Sequence, residues 1–242
     1  MSVKSFSRIV WITGASSGIG RALAEEFASA GDRVIITSRN RAKVAALQRM
    51  IAGRGGACDV EVCDVRDSKS VRNASRKILK RYKGMDVLIN NAGATSFTEF
   101  LATSEKEFDD VIDTNLRGMF LTTRNVLPAM VKARKGLIVN ILSYASRVTY
   151  TKSAAYSASK AGGEAMMNVL RAELREKGIQ VVNVFPGAVA TPMWPAKFRK
   201  RHAGRMMIPE DIARLVYNAT IQPPAVMLEE LVIRPQRGDL RV

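Results

Sequence analysis

An α/β architecture, a mostly parallel sheet wound with helices on both faces, is the fold class this sequence predicts. Seven short apolar runs, most of them rich in Val and Ile and nearly continuous, read as strands buried on both faces. Longer stretches with helical spacing lie between most of them, and strand–helix alternation builds a parallel sheet. The 242 residues, 47% hydrophobic and 25% charged, suit a folded chain with a large core and exclude a mainly disordered one. No linker interrupts the pattern, so residues 1–242 are expected to form one domain.

The elements follow in order. A strand is expected over residues 9–12 and a helix over 18–30, joined by the glycine turn ITGASSGIG at 12–20. A second strand over 34–37 precedes a helix over 41–51. The turn GRGG at 53–56 opens a third strand over 57–63, followed by a helix over 68–81. Strand four spans 86–90, and a long helix is expected over 105–132. Strand five covers 136–142, a helix 154–177, strand six 179–185, a helix 209–220 and strand seven 227–233. Residues 191–207, TPMWPAKFRKRHAGRMM, fit neither pattern. Two prolines, a Trp, a Phe and a basic cluster read there as a mobile lid over the carboxyl ends of the strands, where open α/β sheets bind ligands.

Charge and rare residues narrow the classes. Lys+Arg 38 against Asp+Glu 22 gives a net +16, a field that favours anionic partners. Basic runs at 132–135 and 197–205 carry no recognition motif and only 6% of residues are aromatic, so no specific nucleic-acid binding is expected. No stretch approaches the ~20 apolar residues of a membrane helix, and residues 1–8 carry no apolar targeting core, so no membrane association is expected. Two cysteines and one histidine exclude a disulfide framework and a Cys/His metal site. Cys58 and Cys63 stand five apart in a strand, so they face opposite ways and read as reduced thiols of a cytoplasmic protein. His202, inside the basic run, is expected to be exposed and without a catalytic role.

Three constellations carry chemistry. Gly14, Gly18 and Gly20 follow the first strand and open the first helix. That arrangement lets backbone approach a diphosphate at a helix N-terminus. The second strand ends in Ser38 and Arg39 rather than an acid, and an arginine there accommodates a 2′-phosphate, which points to NADP(H). Tyr156 and Lys160, in YSASK, stand four apart and share a helix face. An ammonium beside a phenol is expected to lower its pKa from ~10 and make it an acid–base near neutrality. Ser143, at the end of strand five, can hydrogen-bond the reacting oxygen.

With these motifs in place, residues 7–233 resemble the short-chain dehydrogenase/reductase family, whose elements occur in order: TGASSGIG, CDV at 63–65, NNAG at 90–93, Asn115 in DTNLRG, Ser143, YSASK, and PGAVAT at 186–191. The resemblance implies a Rossmann-type sheet, an NADP(H) cofactor, and interconversion of a small-molecule ketone or aldehyde with its alcohol by hydride transfer. It implies that Tyr156 is the acid–base, that Lys160 tunes it and holds the nicotinamide ribose, and that Ser143 polarises the carbonyl. Asn115 would hold a water relaying protons from Lys160 to solvent. The implied cofactor site takes in Gly14, Ser16, Ser17, Gly18, Ile19 and Gly20 of the turn, with Ser38 and Arg39. Asp64 and Val65 would face the adenine, and Asn91, Ala92 and Gly93 would line the cleft. Pro186, Gly187, Val189 and Thr191 would meet the nicotinamide end.

The substrate end is expected to involve Ser143, Tyr144, Tyr150, Met193 and Trp194, with Thr95, Ser96, Phe97 and Val148 nearby, an apolar and aromatic set suited to a hydrophobic arm. The family resemblance implies a homodimer or homotetramer. A 3-oxoacyl-[acyl-carrier-protein] reductase is the alternative: a basic surface attracts an acidic carrier protein, and Arg134 and Lys177 match docking positions of that subgroup. The C-terminal LEELVIRPQRGDL, residues 228–240, departs from that subgroup and looks more like reductases of hydroxy acids and small ketones. A more remote alternative is an NADP(H)-binding regulatory protein without turnover.

Overall fold

The computed structural model describes residues 8–223 and 225–240; the polar start at residues 1–7 lies outside the described residues. The chain runs β1 (Ile9–Thr13), α1 (Gly18–Ser29), β2 (Arg33–Ser38), α2 (Arg41–Gly53), β3 (Ala57–Val62), α3 (Ser68–Tyr82) and β4 (Val87–Asn90). It continues through α4 (Glu105–Ile112), α5 (Gly118–Ala133), β5 (Gly136–Ile141), α6 (Ala154–Leu174), β6 (Ile179–Pro186), α7 (Ala196–Arg201), α8 (Pro209–Ala219) and β7 (Glu230–Ile233). The strands form one sheet in the order β3-β2-β1-β4-β5-β6-β7, with every neighbouring pair parallel.

Alternation along the strands builds two cores. In β1, Val10 and Ile12 face one side and Trp11 the other. The first side meets Leu23 of α1, Val44 of α2 and Val216 of α8; the second meets Val71 of α3, Val126 of α5 and Met167 of α6. This is the doubly wound sheet the apolar runs predict. Cys58 and Cys63 fall on opposite cores, both buried and unbridged. Burial pushes their thiols up, to about 12 and about 11 respectively.

Two segments differ from the sequence expectation. The helix expected over 105–132 is broken by a π-helical turn, Asp113–Arg117, between α4 and α5. Gly118 follows it, and a Cβ there would lie 2.9 Å from Val65, so the wide turn brings helix backbone close to the third strand's end. The 191–207 segment is not irregular throughout. It contains α7 and a 3₁₀ turn, Ala203–Arg205, and its ends are tied together: Ala190 N–H donates to Met207 O at 2.9 Å and Met207 N–H to Ala188 O at 3.0 Å.

On the α5 and α6 side of the sheet runs a polar ladder. Asn90, Asn140 and Asn183 are register partners on β4, β5 and β6. Asn90 Nδ2 donates to Asn140 Oδ1 at 2.9 Å, Asn140 Nδ2 to Asn183 Oδ1 at 3.0 Å, and Asn183 Nδ2 to Asn168 Oδ1 of α6 at 3.0 Å. Thr122 and Thr123 of α5 satisfy the other end, at 2.6 and 3.0 Å. Buried amides are tolerable only when paired in this way. Replacing the middle one, Asn140→Ala, strands a donor and an acceptor on its neighbours. At about 1–3 kcal/mol per orphaned buried group, denaturant unfolding should show a loss of about 2–6 kcal/mol.

Candidate active site

All the strands end at one edge of the sheet, and a cleft of about 610 Å³ opens there. The glycine turn after β1 forms its floor. Gly14 has φ +68°, and a Cβ at that position would lie 2.6 Å from Ala92 Cα. The turn is knitted to the chain after β4: Thr13 Oγ1 accepts from the Asn91 and Ala92 N–H groups at 3.1 Å, and Asn91 Nδ2 donates to Thr13 O at 2.9 Å. Ser17 supplies no side-chain cap, so the first N–H groups of α1 remain open to the cleft. Gly18 sits against Thr191, where a Cβ would be 3.1 Å away, which brings the base of the 191–207 segment onto this turn.

The rim beyond β2 carries Ser38, buried, and Arg39, exposed. Among the described residues Arg39 makes no ion pair. Asp64 is held by Arg66 at 2.9 Å, whose hydrogen bonds, with Arg39 close by, keep its carboxyl below the usual range. A cation is thus available at the place a 2′-phosphate would occupy. Asn91–Gly93, Val65, Pro186, Gly187, Val189 and Thr191 also line the cleft, as do Ser16, Ile19 and Gly20.

Ser143, Tyr156 and Lys160 meet on the opposite wall. Ser143 follows β5 and its side chain accepts from Ala145 N–H at 3.1 Å. Tyr156 lies in the first turn of α6, with its hydroxyl close to that of Ser143. Lys160, one turn on, is 3% exposed; its Nζ lies 5.7 Å from the Tyr156 ring centroid and donates to Ile141 O at 2.7 Å. The electrostatics differ from the sequence expectation. Burial raises the Tyr156 phenol, and the Ser143 hydroxyl opposes that rise. Lys160 is itself desolvated, which lowers its ammonium to about 8.

Asn115 sits in the π-helical turn, buried, with Oδ1 accepting from Ala94 N–H at 2.7 Å and Nδ2 donating to Ala94 O at 2.8 Å and Ser159 Oγ at 2.9 Å. Its side chain clamps the β4 loop to α6, and a Cβ at Gly93 would lie 3.5 Å from its Oδ1 and 3.8 Å from Lys160 Nζ.

At the other end, Tyr144, Tyr150, Met193 and Trp194 line the cleft with Thr95 and Phe97; Ser96 and Val148 do not. Trp194 stacks between Phe97, centroids 4.8 Å apart, and Phe198, 4.9 Å. His202 lies half-buried against Phe198 at 4.4 Å instead of exposed. Sequence reasoning missed Lys152, Asp239 and Leu240, which also line this end. Nothing in the tail's composition signals that it folds back over the cleft.

Comparison with known proteins agrees with this layout. The family model described as short chain dehydrogenase matches residues 8–202. Sepiapterin reductase of Chlorobaculum tepidum is 35% identical over 240 residues, 96% of this chain and 98% of that protein. The 3-oxoacyl-[acyl-carrier-protein] reductase FabG of Thermotoga maritima is 34% identical over 86% of this chain and 88% of its own length. Among solved structures, a metagenomic short-chain oxidoreductase in complex with NADP superposes with TM-score 0.85 at 32% identity, over 97% of this chain and 99% of that one. A single-substitution variant of actinorhodin polyketide ketoreductase with NADPH gives TM-score 0.89 at 30% identity, over 99% and 100%.

The glycine geometry sets a test of the floor. Gly14→Ala adds a Cβ where φ is positive and backbone is already in contact. Fluorescence titration should show NADPH affinity at least about tenfold weaker, since about 1.4 kcal/mol of strain or displacement suffices for that factor.

Proposed function

The chain belongs to the short-chain dehydrogenase family of oxidoreductases, and from that membership we propose that it is an NADP(H)-dependent reductase of a small-molecule ketone or aldehyde, with Tyr156 as proton donor. The observation that carries the reading is one cleft with an uncapped, glycine-cradled helix start on one wall and the Ser143–Tyr156–Lys160 cluster on the other. The residues present fit the cofactor: the first turn of α1 presents N–H groups with no side-chain cap at the cleft, and Arg39 is an available cation at the 2′-phosphate position. When bound, NADPH supplies the hydride that the carbonyl carbon receives.

The protein's part is orientation and proton supply. Ser143 and Tyr156 hydroxyls converge, so both can hydrogen-bond one substrate oxygen. The raised phenol stays protonated through the neutral range, which is the form that donates to a developing alkoxide. Lys160, cationic below about 8 and shielded from water, stabilises negative charge that builds on the phenol as its proton leaves. Phe97, Trp194, Met193, Tyr144 and Tyr150 give the substrate an apolar, aromatic enclosure suited to a hydrophobic arm.

The carrier-protein alternative has less geometric support. Arg134 and Lys177 precede β5 and β6, at the end of the sheet opposite Ser143. A six-residue strand separates them from the cleft by about 20 Å. A free carbonyl substrate is therefore favoured over one tethered to a carrier docked on those residues.

A kinetic screen of ketones, aldehydes and 3-oxoacyl thioesters with both coenzymes tests the reading. Tyr156→Phe should lower kcat at least about a hundredfold while NADPH still binds; equal inertness of both proteins across the screen would mean a binding protein without turnover. Arg39→Asp should cut NADPH kcat/KM at least about tenfold and narrow or reverse the preference over NADH. Unchanged selectivity would refute the role of Arg39. Lys160 loses its charge as pH rises through about 8. The kcat/KM for reduction should accordingly hold below that pH and fall above it, and a profile flat to about pH 10, where an unperturbed lysine would begin to titrate, would remove Lys160 from the mechanism.

A further inference from the structure

The loop from β5 to α6, residues 142–153, carries Ser143 as its second residue and ends three residues before Tyr156. Three of its side chains, spaced three apart, are met by the C-terminal segment. The Arg234 guanidinium lies 4.3 Å from the Tyr144 ring centroid. Arg147 Nη2 bonds Glu230 of β7 at 2.7 Å. The Tyr150 hydroxyl lies close to the Asp239 carboxylate, which Arg234 Nη2 holds at 2.7 Å.

Each contact is braced from behind. Arg147 also grips Glu164 of α6 at 2.8 Å and lies 3.8 Å over the Phe185 ring, while Glu164 accepts from Ser146 Oγ at 2.7 Å. Glu164 stands one turn beyond Lys160, so this pair ties the Ser143 turn to the helix that carries Tyr156. Arg205 of the 191–207 segment donates to Asp239 O at 3.1 Å, and Leu240 is buried at the cleft wall. Single part-exposed ion pairs contribute little alone. Three contacts on a short loop, backed by a helix and a strand, restrict it together.

We propose that Arg147, Arg234 and Asp239 are positioning residues, through which the C-terminal segment clamps the 142–153 loop, holds Ser143 in register with Tyr156 and sets the far wall of the substrate end. The functional consequence rests on the reading of Ser143 and Tyr156 given above; the clamp itself is measurable without substrate. A misplacement of about 1 Å between reacting groups costs about a hundredfold in rate. Loosening one of three contacts should cost less.

The test uses the full chain with Asp239→Asn and Arg234→Met. Hydrogen exchange of peptides covering 143–153 should quicken at least about fivefold in both, with β1 and β2 unchanged. For any carbonyl substrate found, kcat should drop about tenfold while KM for NADPH stays within about twofold. Asp239→Glu should recover most of the loss, and the Arg234→Met/Asp239→Asn double variant should be no worse than the poorer single one. Loop exchange within about twofold of wild type in both variants would overturn the clamp. So would faster exchange spread over the whole sheet, which means a merely structural role. If wild type reduces nothing, the functional reading fails while the exchange result still decides the clamp.

Discussion

Seven strands that all run one way must all release the chain at one edge, and this constraint places the strand-end groups of the cleft. Gly14 follows β1, Ser38 closes β2, Asp64 follows β3, Asn91 follows β4, Ser143 follows β5 and Gly187 follows β6. Around β1, β4 and β5 the sheet reverses its winding, leaving a crevice that no helix fills. The asparagine ladder lies one residue before Asn91 on β4, three before Ser143 on β5 and four before Gly187 on β6. It locks the relative height of three strands and so fixes the height from which each chain end leaves the sheet.

Electrostatics at this edge follow from the packing. Tyr156 and Lys160 belong to a helix pressed on the sheet, and desolvation acts on both before their mutual attraction does. Each moves toward its neutral form: the phenol up, the ammonium down. Ser143 partly opposes the first shift, and the Ile141 carbonyl gives the second group a partner at the strand's end. At neutral pH this packing keeps the proton on the phenol.

The fold was legible because buried parallel strands leave continuous Val and Ile runs, as in the residues now seen in β1, β2 and β5, and such runs have no helical alternative at that length. Gly14 and the Tyr156–Lys160 spacing were legible because backbone approach and helix periodicity are written locally. Other features depend on partners distant in sequence. The π-helical turn places Gly118 against Val65, and Asn115 bonds Ala94 and Ser159. The Tyr156 shift depends on how deeply α6 packs, which a four-residue spacing does not encode. Asp239 and Leu240 belong to a tail whose path is set by Arg205 and Arg234, and its letters alone describe only a polar end.

Cys58 and Cys63 have a practical consequence. With thiols held near 12 and 11, about one molecule in ten thousand or fewer carries a thiolate at neutral pH, and both sulfurs are shut inside the two cores. Maleimides and iodoacetamides therefore find almost nothing to alkylate in the native chain. A cysteine engineered onto an exposed helix face would be the fast-reacting handle, giving site-selective dye attachment with both natural sulfurs left in place.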